Sequence, residues 1–195
     1  MATQGFSFVL SPEDTGTRDR IHTGSTGTEW FITFYKPNRV KPDATLATEF
    51  LAEDRSNNPD YERVPYATGF KVGNGPDFVL ISVHLMPGAH EENRRLHELA
   101  SIAGWIEKQT GPEKDFIILG DMNIEDCEEL AAILPASFVS LNDTCLPTNT
   151  NLNGPKPYDH VLYRPANSSE ILPKFSVINL IKAAEPFWDT SRGAF

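Results

Sequence analysis

The sequence predicts an α/β fold built on a mixed sheet, and three observations carry that expectation. Short apolar, β-branched runs alternate with turn signals along most of the 195-residue chain. One long amphipathic stretch sits between two of those runs. Hairpin-like spacing dominates elsewhere, which argues for layers around a mixed sheet rather than a doubly wound parallel one. The length suits one domain, residues 1–195.

The elements follow in order. GFSFVLS (5–11) reads as a short strand, and the polar stretch 12–28 as a long surface loop. EWFITFYKP (29–37) is a strand of aromatic and β-branched residues closed by Lys-Pro-Asn. ATLATEFLAED (44–54) fits a strand or a short helix, and SNNPD (56–60) a loop. Residues 66–85 read as a hairpin, with strands over 66–72 and 77–85 around Gly73-Asn74-Gly75-Pro76. The spacing of Leu96, Leu99, Ile102, Ala103 and Ile106 predicts a helix over 88–110, stopped by Gly111-Pro112. A strand over 116–119 and a short helix over 125–134 come next. A polar loop (147–157), a strand YDHVLYR (158–164) and a last strand KFSVINLI (174–181) complete the expectation.

Composition narrows the function. Hydrophobic residues make up 39% and charged residues 23%, and no run is long and apolar enough to span a bilayer. The net charge of -10 argues against a static duplex clamp, because such binders neutralise phosphates with a basic face. It argues less against an enzyme that holds a divalent cation, since the metal supplies local positive charge. Cys127 and Cys145 fit either a disulfide or two thiols, and leave the compartment open. Asn142-Asp143-Thr144 and Asn167-Ser168-Ser169 match the glycosylation acceptor pattern. The opening MATQGFSF has neither a basic nor an apolar leader region.

Three strand ends carry chemistry. FVLISVHL bears His84 in an apolar run, FIILGDMN delivers Asp121 and Asn123, and PYDHVLY opens with Asp159-His160. Each has an ordinary reading alone, as a partnered core histidine or a turn. Together they supply what phosphodiester hydrolysis needs. Hard oxygen ligands hold a divalent cation, and an imidazole moves a proton or donates to a phosphoryl oxygen.

FIIL-GDMN, following VHL and a helix and preceding YDHVLY, resembles the endonuclease/exonuclease/phosphatase superfamily, in its deoxyribonuclease-I-like branch. That family presents a strand with a central His, a Gly-Asp-x-Asn strand end and an Asp-x-[Ile/Val] strand start in this order. EWFITFYKPN resembles its Glu-bearing aromatic strand and YERVPYATGF its Arg-x-Pro strand, so the likeness runs from about Phe6 to Leu180. The resemblance implies a four-layer α-β-β-α sandwich. It implies that His84 acts at the scissile phosphate, oriented by Glu29. Asp121 positions water or binds metal, Asn123 and Arg63 contact phosphate, and Asp159 binds a second cation or orients groups near the phosphate. Among Thr148, Asn149 and Thr150, one supplies a further phosphate contact, and the longer loop leaves open which. His160 takes the variable position and, by strand alternation, faces away from the Asp159 side. The implied cofactor is Mg²⁺, with Ca²⁺ or Mn²⁺ as alternatives, and the implied substrate is DNA.

The pattern is incomplete. The family's opening Asn strand, the strand bearing its main metal-ligand Glu, and its terminal Ser-Asp-His-x-Pro element find no match here. Asp159-His160 does not stand in for that terminal pair, because VLYRP continues it as a strand. The expectation is therefore an incomplete domain, completed by a partner chain or prone to self-association. Its function is a metal-dependent phosphodiester hydrolase, most readily a DNA endonuclease. The alternatives are a phosphatase on a phosphoinositide or other small phosphoester, and a non-catalytic binding protein or inactive fragment.

Overall fold

The structure is a computed structural model, and it describes residues 5–16, 29–55 and 58–179. A six-stranded mixed sheet runs in the order β3-β4-β5-β6-β8-β7, beside a two-stranded sheet β1-β2. The strands are β1 (Ser7–Leu10), β2 (Ile32–Tyr35), β3 (Lys41–Pro42), β4 (Tyr66–Lys71), β5 (Asp77–His84), β6 (Phe116–Asp121), β7 (Val139–Ser140) and β8 (Asp159–Tyr163). Helices α1 (Glu92–Glu107) and α2 (Cys127–Ile133) flank β6 in sequence.

The hairpin expected over 66–85 forms as β4 and β5, paired from Tyr66↔Ser82 to Lys71↔Asp77. Helix α1 then carries the chain across so that β6 lies parallel to β5. Val79, Ile81 and Val83 alternate inward from β5 and pack with Leu99, Ile102 and Ile106 of α1, Ile118 of β6 and Leu130 and Ile133 of α2. This is the core, and both helices lie on its side of the sheet.

The opposite face carries Phe70, Phe78, Ser82 and His84. Tyr35 of β2 meets Phe70 edge-on at 5.6 Å, so the small sheet sits on this side. Described residues thus contribute helix, sheet and sheet layers of the α/β sandwich.

The structure departs from the sequence expectations at several element ends. Helix α1 begins at Glu92 instead of residue 88, because Gly88 (φ 116°) and His90 (φ 140°) hold non-helical backbone. Leu96 lies outside the buried stripe at 42% exposure, and Arg95 and Glu98 fill the inward positions. Strands β3 and β7, of two residues each, are too short to leave a periodic signal. Residues 44–54 form neither a helix nor a regular strand; only Phe50 bridges to Tyr66. Residues 174–179 are irregular rather than a strand, and the rest of that expected strand lies outside the described residues, as do residues 17–28 of the expected loop. Cys127 and Cys145 form a disulfide. Among the described residues no helix is long and apolar enough to cross a membrane.

Candidate active site

Register assembles the site. β5 and β6 align His84 with Asp121, and β6 and β8 align Asp121 with Asp159. Three neighbouring strands therefore present an imidazole and two carboxylates in one row. The row lies on the sheet face away from α1, because β5 alternates Val79, Ile81 and Val83 into the core.

The backbone around Gly120 and Asn123 explains the abrupt end of the apolar run. Gly120 has φ 144°, and a Cβ there would lie 2.0 Å from the Val83 carbonyl oxygen. No other residue fits without moving β5. Asn123 adopts left-handed backbone at φ 51°, which Asn tolerates better than most residues. Its N–H donates to Asp121 Oδ1 at 2.9 Å, and its Nδ2 donates to the Leu85 carbonyl at 3.0 Å. Leu85 N–H in turn donates to the Asp121 carbonyl at 3.0 Å. The turn after β6 is thereby tied to the end of β5, fixing Asp121 beside His84.

Glu29 reaches the row from the segment before β2. Its Oε2 lies 2.7 Å from His84 Nδ1. An ionised carboxylate only accepts, so Nδ1 carries the proton and Nε2 is left to exchange one. Nε2 lies 3.9 Å from Asp121 Oδ2, beyond direct hydrogen-bonding distance. Glu29 Oε1 lies 3.1 Å from Arg63 Nε. That contact is ionic only, since Arg63 Nε and Nη1 are buried with no hydrogen-bond partner. Burial raises the Asp121 carboxyl above its ordinary range; the Asn123 N–H and His84 oppose this, while Asp159 and Glu29 reinforce it.

Asp159 is exposed, and its N–H donates to Thr148 Oγ1 at 2.8 Å. Among the three loop residues considered, Thr148 is thus the one tied to the row. The Asn149 amide is engaged inside its own loop, donating to the Gly154 carbonyl and accepting from Lys156 N–H at 2.9 Å each. Thr150 lines a cavity of about 230 Å³ between this loop and residues 177–179. His160 points the other way from Asp159. It is 1% exposed, lies 2.9 Å from Ser140 Oγ through Nδ1, and burial lowers its pKa.

The row is thus His84, Asp121 and Asp159, backed by Glu29, Arg63 and Asn123. Sequence reasoning reads Asn142 only as the head of a glycosylation triplet and missed its place beside the row: its buried amide donates to the Leu146 carbonyl and more weakly, at 3.4 Å, to that of Asp159. Nothing in the spacing of the strand-end motifs points to that role.

Neither a family model nor a curated protein matches the sequence. Solved structures do match. The structure of D. rerio TDP2 complexed with single strand DNA product aligns at TM-score 0.54 and 17% identity, over 84% of this chain and 63% of that one. An endonuclease/exonuclease/phosphatase family protein from Bacteroides thetaiotaomicron aligns at TM-score 0.56 and 15% identity, over 83% and 62%. The fold is that of the endonuclease/exonuclease/phosphatase superfamily. The human Nocturnin catalytic domain with bound sulfate anion has this fold too, at TM-score 0.52 and 17% identity, over 82% and 60%. The chain spans about three fifths of each of these three chains.

Proposed function

We propose that the chain is a divalent-metal-dependent phosphodiester hydrolase acting on DNA. The observation that carries this reading is the single register line His84–Asp121–Asp159, with Glu29 fixing the proton on His84 Nδ1. A phosphate seated over that line meets a proton-exchanging nitrogen from one side and two carboxylates from the other. In this reading His84 Nε2 takes or returns the proton at the scissile phosphate, and Asp121 orients the attacking water. Asn123 and Arg63 flank the same end of the sheet.

Among the described residues no three acidic, histidine or cysteine side chains converge on one point as metal ligands. Two adjacent carboxylates remain, Asp121 and Asp159, and that fits a cation which keeps several waters and takes the rest of its shell from substrate phosphate, as Mg²⁺ does. When bound, it would neutralise charge developing on the phosphoryl oxygens. The likeness to a TDP2 structure holding a DNA product supports a nucleic-acid substrate.

A small phosphoester is the second reading. Two cations near the strand ends are engaged locally: Lys156 pairs with Glu125 at 2.8 Å, and Arg94, on α1, donates to the Pro59 carbonyl. A compact substrate needs no basic track. Nicking of supercoiled plasmid in Mg²⁺, run beside phosphate release from an inositol phosphate, separates the two. We expect metal-dependent nicking that falls by about 10²–10⁴ in His84→Ala. Equal nicking by that variant overturns the assignment. No turnover of either substrate would favour a binding protein instead.

A further inference from the structure

We propose that Asn167 is an N-linked glycosylation site and that Asn142 is not, although both head an Asn-x-Ser/Thr triplet. The inference is independent of the hydrolase reading. Two observations carry it: the Cys127–Cys145 disulfide, and the opposite environments of the two asparagines.

The disulfide speaks to compartment. Stable disulfides form and persist in oxidising surroundings such as the secretory pathway, and are rare where thioredoxin and glutathione keep thiols reduced. Among the described residues no cysteine is free. The glycan-transferring machinery of a eukaryotic cell works in that same oxidising pathway.

The folded surface then separates the two triplets. Asn142 is fully buried, and its side chain is a structural pin. Its Oδ1 accepts from Leu146 N–H at 2.8 Å, and its Nδ2 donates to Leu146 and Asp159 carbonyls. A glycan on that nitrogen takes one of its two N–H donors and has no route to solvent. Asn167 sits in an exposed turn after β8, where its N–H and that of Ser168 both donate to the Arg164 carbonyl at 3.0 Å. Its Nδ2 makes one exposed 3.3 Å bond, to the Lys114 carbonyl. Ser168 anchors the turn from below, 2% exposed and donating to Asp115 Oδ1 at 3.0 Å. Ser169, whose hydroxyl completes the triplet, is exposed.

The position leaves the candidate active site open. Asp159 starts β8 at the site, and Asn167 follows its other end, beyond roughly 13 Å of strand. A sugar chain there projects from the far end of the sheet.

In the transfer step, Asn167 Nδ2 attacks C1 of an oligosaccharide carried on a polyprenyl diphosphate. The N–C1 bond forms, the C1–O bond to phosphate breaks, polyprenyl diphosphate leaves and the amide gives up one proton. The test directs the full chain, behind an added leader, into the endoplasmic reticulum of a eukaryotic cell. Only the disulfide-bonded fraction is scored, so misfolded chains do not enter. Peptide mass spectrometry after amidase treatment should show Asn167, and not Asn142, converted to Asp. Ser169→Ala should abolish the glycan and Thr144→Ala should keep it; neither variant alters an asparagine. A disulfide-bonded chain without glycan, a glycan lost in Thr144→Ala, or a chain that stays fully reduced in that compartment overturns the proposal.

Discussion

Glu29 sets which nitrogen of His84 can work. Its carboxylate holds the Nδ1 proton at 2.7 Å, and Arg63 lies behind it at 3.1 Å. Glu29→Gln keeps the size but offers an amide N–H toward Nδ1, which favours the other tautomer. We expect kcat for plasmid nicking to fall toward the His84→Ala level, about 10²–10⁴ below wild type, with KM little changed. A variant nicking at wild-type rate would show that the Glu29–His84 bond is structural only. A second residue-scale effect lies at the other end of β6. Burial, then the neighbouring Glu170, raises Asp115 to about 6. The unfolded chain releases that proton near the ordinary carboxylate value of about 4. Between these values the folded state binds more protons, so this group's contribution to stability falls as pH rises from about 4 to about 6. Asp115→Asn should flatten that decline and melt higher than wild type at neutral pH. Thermal melts across the window check it, and parallel curves for the two proteins would remove Asp115 as the cause.

At the scale of elements, buried charge joins the two helices. Arg95 of α1 is 1% exposed, donates to the Met86 and Gly88 carbonyls, and reaches Glu129 of α2 at 2.5 Å. Glu129 also accepts from Glu125 N–H at 2.8 Å, so the pair ties both helices to the turns beside Asn123. Removing one member of a buried pair leaves the other charge uncompensated. Arg95→Met should therefore cost about 3–5 kcal/mol, read as a lower urea midpoint with an unchanged slope. A loss under about 1 kcal/mol would mean that Glu129 finds solvent or another partner at little cost. The same network shows what a sequence does not disclose. The apolar stripe of Leu99, Ile102 and Ile106 is legible because burial repeats at helical spacing. Arg95 and Glu98 leave no such signal, because nothing local marks a charge whose partners lie on other elements. The start of α1 is equally hidden, since left-handed His90 follows from the path of the preceding loop and not from its residue type.

At the scale of the whole molecule, the longer strands and the mixed sheet were legible from periodicity and turn signals, while the two-residue strands β3 and β7 were not. The meeting of His84, Asp121 and Asp159 was not, because register is a long-range property; only the likeness of the ordered motifs to a known family suggested it. The small sheet raises a further consequence. Phe8, Leu10, Ile32 and Phe34 alternate to one face, pair across β1 and β2, and are 53%, 44%, 47% and 60% exposed. A contiguous apolar face of this kind is an association surface. Against it stands a net charge of -10, which repels a second copy. Salt shortens the reach of that repulsion to about 10 Å near 0.1 M and leaves apolar attraction in place. We therefore expect concentration-dependent self-association that strengthens as salt is added, measured by sedimentation. Phe34→Lys breaks the face at its most exposed aromatic without touching the row of site residues, and should restore a monomer with nicking activity intact. Association that weakens with salt, or that survives Phe34→Lys unchanged, would place the contact elsewhere and make it ionic in the first case.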